Sequence, residues 1–189
     1  MLYLPNKFAS TDPNRTCPIL IMIETERLIL LPLTYDQLLK YTRADQSLEA
    51  ELNLNGTSRS ISAELKEALE QTILPNVADP EKNYLYSTLW TLIDKRENKM
   101  VGDLCFVGEP NSEGEIEIGY GTYEDFQNKG YMTEAVGGMI RWAMQQPEVK
   151  SIYAATEKDN IASYSVLQKN HFIQLEATES RLNWRLHLK

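Results

Sequence analysis

The stretch from Glu115 to Pro147 constrains this chain more than any other. It opens on a strict alternation, Glu115-Ile116-Glu117-Ile118-Gly119-Tyr120-Gly121, which marks a strand with one apolar face. A polar loop follows, and a helix runs from about Gly130 to Gln146 before Pro147 stops it. Strand, loop and helix in this order present free backbone N–H groups at a helix N-terminus, a natural seat for phosphate. Lys129 adds positive charge there, and Gly130 lets a ligand approach the backbone where a side chain would intrude. Spacing alone leaves the plainer reading open, a glycine that starts a helix after an ordinary turn. A dinucleotide fingerprint fits less well: Gly119 and Gly121 supply two glycines, but Glu124 stands at the third position and the loop is too long.

Around this unit the pattern describes one domain over residues 23–189, preceded by an irregular extension over residues 1–22 that is rich in turn residues. Met22 is an alternative start. Residues 27–33 are apolar and β-compatible, and Thr34 caps a helix running toward Leu54. Ser60 or Ser62 caps a second helix, with Leu65, Leu69 and Ile73 at helical spacing and Pro75 as its end. Residues 84–93 alternate as a strand, with Tyr84, Tyr86 and Trp90 on one face that packs as core, a pocket wall being the alternative. Strands over 100–107, 151–156, 172–176 and 182–188, with a short helix over 160–170, complete the order β-α-α-β-β-β-α-β-α-β-β. That order describes a mixed α/β sheet with helices on its faces. Gly137-Gly138 inside the long helix is costly and is best explained by close helix–sheet packing.

Composition removes several classes of function. With 19 Lys+Arg against 27 Asp+Glu and a net charge of -8, the chain lacks the broad basic surface of a nucleic-acid binder. Cys17 and Cys105 form no CxxC pair, and His171 and His187 form no HExxH, so no metal site is expected. GxSxG and GxxxxGK[ST] are absent as well. No run reaches the roughly 18–20 apolar residues of a membrane span, and the start lacks a signal-peptide pattern. A cytoplasmic protein with no membrane partner is the expectation.

Four segments carry a resemblance. Gln127-Asn128-Lys129-Gly130-Tyr131-Met132 follows a Q/R-x-x-G-x-G/A loop, with Ile118-Gly119-Tyr120 before it and Thr133-Glu134-Ala135 after it. Glu24-Thr25-Glu26-Arg27-Leu28-Ile29-Leu30 follows a T-x-R-L-x-L strand. Asn160-Ile161-Ala162-Ser163 and Leu167-Gln168-Lys169-Asn170-His171-Phe172 follow N-x-x-S…L-x-K-x-G-F. In register from about Glu24 to the C-terminus, they resemble the GNAT acetyltransferases, in particular the RimJ/RimL branch that acetylates protein N-termini. Two departures stand out: Met132 replaces a Gly or Ala and would narrow the pyrophosphate seat, and His171 replaces a Gly before Phe172.

The resemblance implies a mixed, mostly antiparallel sheet of about seven strands with helices on both faces. It implies acetyl-CoA as cosubstrate, lying in a V-shaped opening between the strands at 115–121 and 151–156, and direct acetyl transfer to a primary amine without a metal. The pantetheine would pair with backbone at about Tyr120, Gly121, Thr122 and Tyr123. The pyrophosphate would take N–H groups from Gln127, Asn128, Lys129, Gly130, Tyr131 and Met132. Asn160 would bond the pantetheine arm, with a plain helix N-cap as the alternative, and Ser163 would lie near it. Glu117 matches a strand glutamate that acts as general base, its alternative being a cross-strand or solvated carboxylate, with Glu115 in reserve. The usual general-acid tyrosine falls at Leu167, and Tyr164 lies a turn earlier, which leaves Ser163, water or no acid at all. That gap keeps a non-catalytic acyl-CoA-binding module as the alternative. The acceptor is a protein N-terminus or a small-molecule amine, an acidic protein suits a basic partner or a polyamine, and a homodimer is compatible with the pattern.

Overall fold

The computed structural model describes residues 21–188. The expected extension therefore lies outside the described residues except for its last two positions. The strands are β1 Ile23–Glu24, β2 Leu28–Pro32, β3 Trp90–Asp94, β4 Lys99–Phe106, β5 Glu115–Thr122, β6 Ser151–Glu157, β7 Ile173–Gln174 and β8 Arg181–His187. The helices are α1 Tyr35–Arg43, α2 Ser47–Glu51, α3 Ala63–Ala68, α4 Leu74–Ala78, α5 Tyr131–Ala143 and α6 Ile161–Lys169. No helix among the described residues is long and apolar enough to cross a membrane.

The eight strands form one sheet in the order β1-β2-β3-β4-β5-β6-β8-β7. The expected count was about seven; the addition is β1, a two-residue strand that folds back on β2. Pairing is antiparallel throughout except between β5 and β6. Side chains alternate across a strand, so the central strands feed two cores. Leu28 and Leu30 of β2 pack with α5, whereas Leu31 and Ile29 pack with α1 and the turns that follow it. Trp90 and Leu92 of β3 join the first core and Ile93 the second.

Three local readings change. The helix expected from Thr34 to about Leu54 keeps its Thr34–Gln37 capping box but breaks at Ala44, whose φ of 52° is left-handed, and resumes at Ser47. There the Asp45 carboxylate accepts the Ser47 N–H at 3.0 Å, a local turn that competes with the helix. Pro75 does not end the second helix: a wide π turn over Leu69–Ile73 precedes it, and α4 continues to Ala78. The wider turn accommodates a residue that lacks an N–H and crowds the preceding turn. Residues 84–89 are not strand, because the Asn83 side chain accepts the Leu85 N–H and caps a 3-10 turn over Tyr84–Tyr86. Tyr86 and Trp90 nevertheless pack as core around Trp142, with ring centroids 5.4 and 5.5 Å from it.

Candidate active site

The sheet splits between β5 and β6. Their parallel register covers Glu115–Glu117 against Ser151–Tyr153 and no more. Beyond it, β5 follows its antiparallel partner β4 through Gly102↔Thr122, while β6 follows β8 along its full length. The gap is bridged by a side chain: the Tyr120 hydroxyl donates to the Ser163 carbonyl at 3.0 Å, and Ser163 Oγ donates to Tyr120 at 3.2 Å. Burial pushes the Tyr120 phenol up to about 12, against the Ser163 hydrogen bond, so it stays protonated at neutral pH.

On the α5 and α6 side of the split lies a cavity of about 740 Å³. One wall is the loop entering α5. Asn128 and Gly130 take left-handed backbone angles, φ 60° and 77°, which turn the chain so that successive amides face one way. Among the described residues, the backbone N–H groups of Asn128 to Thr133 have no acceptor. Such amides at a helix N-terminus suit the oxygens of a diphosphate. Gly130 keeps its surface open, since a Cβ there would meet only Arg27 Nη2, at 3.5 Å. Met132 and Tyr131 send their side chains into the core, 5% and 6% exposed, so they offer the cavity only backbone and Met132 does not narrow it. Gln127 sits at the loop entrance with its N–H held by the Glu124 carbonyl.

The cations are placed differently from expectation. Lys129 bends back on its own loop, with Nζ on the Asp125 carbonyl at 2.8 Å and over the Phe126 ring. Lys169, from α6, is the cation among the described residues lining the cavity. Arg27 braces the loop: Nη1 donates to the Lys129 carbonyl at 2.9 Å, and Nε pairs with Glu134 at 2.6 Å. Glu134 also accepts from Thr25 Oγ1 and the Arg27 N–H. Burial works against its charge, but these partners hold its carboxyl below the usual range.

Across the sheet a second cavity, of about 880 Å³, meets the first at Tyr120, Gly121, Thr122 and Gln127. Tyr123 belongs to this side, its N–H held by the Val101 carbonyl and its hydroxyl on Asp103. Asp103 also receives the Tyr41 hydroxyl at 2.7 Å. Burial raises the Asp103 carboxyl above the usual range, against the hydroxyls of Tyr123, Tyr41 and Thr91 and the charge of Arg59.

Glu117 is exposed on the paired half of β5, across from Tyr153 in β6, and lines neither cavity. Its carboxyl is raised by burial and by Glu115, against the pull of Arg181, and its charge is felt by the Cys105 thiol on the wall of the second cavity. Glu115 is committed, gripped by Arg185 at 2.5 and 3.3 Å and by Ser151 Oγ at 3.1 Å. Asn160 caps α6 by accepting the Ser163 N–H at 3.0 Å, and it also lines the first cavity. Leu167 is fully buried, and Tyr164 stacks on Trp184, with ring centroids 6.2 Å apart. Sequence reasoning missed Arg27 and Glu134 as a brace, Lys169 as the cavity's cation, and Asp103 with Tyr41. For the brace, a signal was present: both residues lie in quoted motifs 107 positions apart.

The Acetyltransferase (GNAT) domain family matches residues 27–173. The N-acetyltransferase YjdG of Bacillus subtilis (strain 168), itself uncharacterized, is 35% identical over 95 residues, 50% of this chain and 56% of that protein. The chain thus spans about half the length of the curated relatives it matches. Among solved structures, the ribosomal-protein-S5-alanine acetyltransferase from Vibrio fischeri superposes with a TM-score of 0.65 at 17% identity, over 89% of this chain and 97% of that one. RimL, the ribosomal L7/L12 α-N-protein acetyltransferase in complex with coenzyme A, gives 0.64 at 18% identity, over 88% and 98%. These two likenesses establish the fold. The family match, spanning most of the described chain, makes this protein a member of the GNAT acetyltransferase family.

Proposed function

We propose that this chain transfers the acetyl group of acetyl-CoA to a primary amine, in the cytoplasm, with a peptide N-terminus or a small amine as acceptor. The observation that carries this reading is the split between β5 and β6, where a cavity walled by free amides meets a second cavity at the end of β5. The names of the solved neighbours, a ribosomal-protein-S5-alanine acetyltransferase and a ribosomal L7/L12 α-N-protein acetyltransferase in complex with coenzyme A, point the same way.

The loop amides from Asn128 onward, with Lys169, hold the pyrophosphate, and backbone at Tyr120, Gly121 and Thr122 aligns the pantetheine. Acetyl-CoA supplies an activated thioester when bound. The chain must then place the amine, remove one proton from its nitrogen and return one proton to the departing thiolate. Glu117 takes the first proton through intervening water, since it lies two positions along β5 from Gly119 in the second cavity's wall and is not itself in that wall. The Ser163–Tyr120 hydroxyl pair, bridging the split, returns the second.

A thiol-release assay with acetyl-CoA against peptides, polyamines and aminoglycosides tests the proposal. Acceptor-dependent thiol release is expected, and Gly130→Trp, which forces a bulky side chain onto a φ of 77° beside the amides, abolishes it. No release with any amine, or full activity in Gly130→Trp, would overturn the reading.

A further inference from the structure

The amides of Asn128 to Thr133, free among the described residues, stand along the first cavity. N–H dipoles aligned on one point repel one another until an anion arrives, and Asn128 at φ 60° adds strain. Such a loop keeps its shape only where other contacts hold it.

Tyr131, the first residue of α5, supplies one such hold. Its ring lies beneath the Arg27 guanidinium, 4.8 Å from the centroid, and beside Phe126 from the loop entrance, with ring centroids 6.3 Å apart. Its hydroxyl donates to Asp94 Oδ2 at 2.5 Å. Both residues are buried, Asp94 being 3% exposed. Burial works against the Asp94 charge, but the Tyr131 hydroxyl and the N–H groups of Glu97 and Arg96 hold its carboxyl below the usual range. The bond to Tyr131 is therefore charge-assisted at neutral pH and stronger than one between neutral partners.

Asp94 is itself a fixed point. It ends β3, and its Oδ1 accepts the N–H groups of Arg96 and Glu97 at 2.7 and 2.8 Å, which shapes the turn into β4. From that turn the Lys95 N–H donates to the Arg27 carbonyl at 2.9 Å, and Lys95 Nζ to the Thr25 carbonyl at 2.7 Å. The far end is tied down as well: the Asn98 carbonyl accepts the Asn55 N–H at 2.8 Å, and the Glu97 carbonyl accepts Asn55 Nδ2 at 2.7 Å. The β3–β4 turn thus grips the loop twice, through Tyr131 and through Arg27, whose Nη1 reaches the Lys129 carbonyl.

We propose that Asp94 is a positioning residue for the cosubstrate: through the Tyr131 hydroxyl it fixes the first turn of α5, so that the amides converge on the diphosphate before it arrives. The proposal rests on the acetyl-transfer reading, which puts the diphosphate there, and adds a residue on another strand 37 positions away. Affinity gained in this way comes from order already present in the empty protein. It therefore acts on a donor that carries the diphosphate, and not on the acceptor or the chemical step.

Calorimetry with coenzyme A tests this on the wild type, Tyr131→Phe and Asp94→Asn. Tyr131→Phe keeps the ring between Arg27 and Phe126 and removes only the hydroxyl, so Kd is expected to rise about tenfold. Asp94→Asn keeps an acceptor for the turn and loses the charge, and a rise of about threefold or more is expected. Thiol release, with the fastest of the peptides, polyamines and aminoglycosides as acceptor, supplies the second readout. In Tyr131→Phe the KM for acetyl-CoA should rise by the same factor as Kd with kcat within about twofold. With S-acetylpantetheine, which has no diphosphate, kcat/KM should stay at the wild-type value. An unchanged coenzyme A Kd, or an equal loss with both donors, overturns the proposal, the second outcome marking a purely structural role. If Tyr131→Phe does not fold, Asp94→Asn is read in the same way. Coenzyme A binding without thiol release from any amine ends the acetyl-transfer reading and leaves Asp94 to the calorimetry. Failure of the wild-type protein to bind coenzyme A ends both.

Discussion

Glu117 illustrates how a single residue's role depends on its neighbours. Burial and Glu115 raise its carboxyl, and Arg181 opposes them. A base must be deprotonated to act, so with Glu117 as the proposed base the acid limb of kcat/KM is expected above the ordinary glutamate range. Arg181→Gln removes a lowering influence and should move that limb to higher pH, while Glu117→Gln should abolish the limb and lower the rate by roughly 10²–10⁴-fold. A limb that stays put in Arg181→Gln assigns it to another group, and the pH profile of kcat/KM is the measurement. Glu117 and Asn160 are candidates from the chain alone because each sits in a recognisable local pattern, and the structure places Asn160 as a helix cap that also lines the first cavity. Asp103 is not a candidate on that basis: its Tyr41 partner is 62 residues away, and nothing local marks a strand aspartate as buried.

At the scale of elements, most helix starts were legible because a cap is a contact within one turn. Thr34, Ser62 and Asn160 each accept the N–H three residues on. Breaks such as Ala44 and the π turn before Pro75 were not, since they depend on what each helix must fit against. Gly138 shows the same dependence: a Cβ there would stand 2.9 Å from Thr25 Cγ2, so the glycine is what lets α5 approach β1 and β2. At the end of α6, His171 closes the helix with a φ of 64° and an N–H on the Gln168 carbonyl, where a glycine would adopt that angle without strain. His171→Gly is expected to stabilise the fold by roughly 0.5–1 kcal/mol, the relief of αL strain exceeding the added freedom of the unfolded chain. The check is a higher urea midpoint at unchanged slope; a lower midpoint would show that the histidine side chain contributes more than its backbone strain removes.

For the molecule as a whole, a split sheet leaves backbone and loop amides that a bound ligand can complete. Acetyl-CoA at about a hundred times its Kd should add about 2.7 kcal/mol, a rise in Tm of roughly 5–10 °C for a chain of this size. NAD should give no rise in a thermal melt, and a response to NAD alone would remove the cofactor assignment. The sequence by itself determined the order of strands and helices, the loop that presents amides at the start of α5, and the family resemblance, because all three are written in local spacing. Only the tertiary structure decided where β5 leaves β6, which cations stand near the amides, and that Asp103 lines the second cavity. Those outcomes depend on strand partners and helix contacts far apart in the chain, and packing rather than local propensity selects among them.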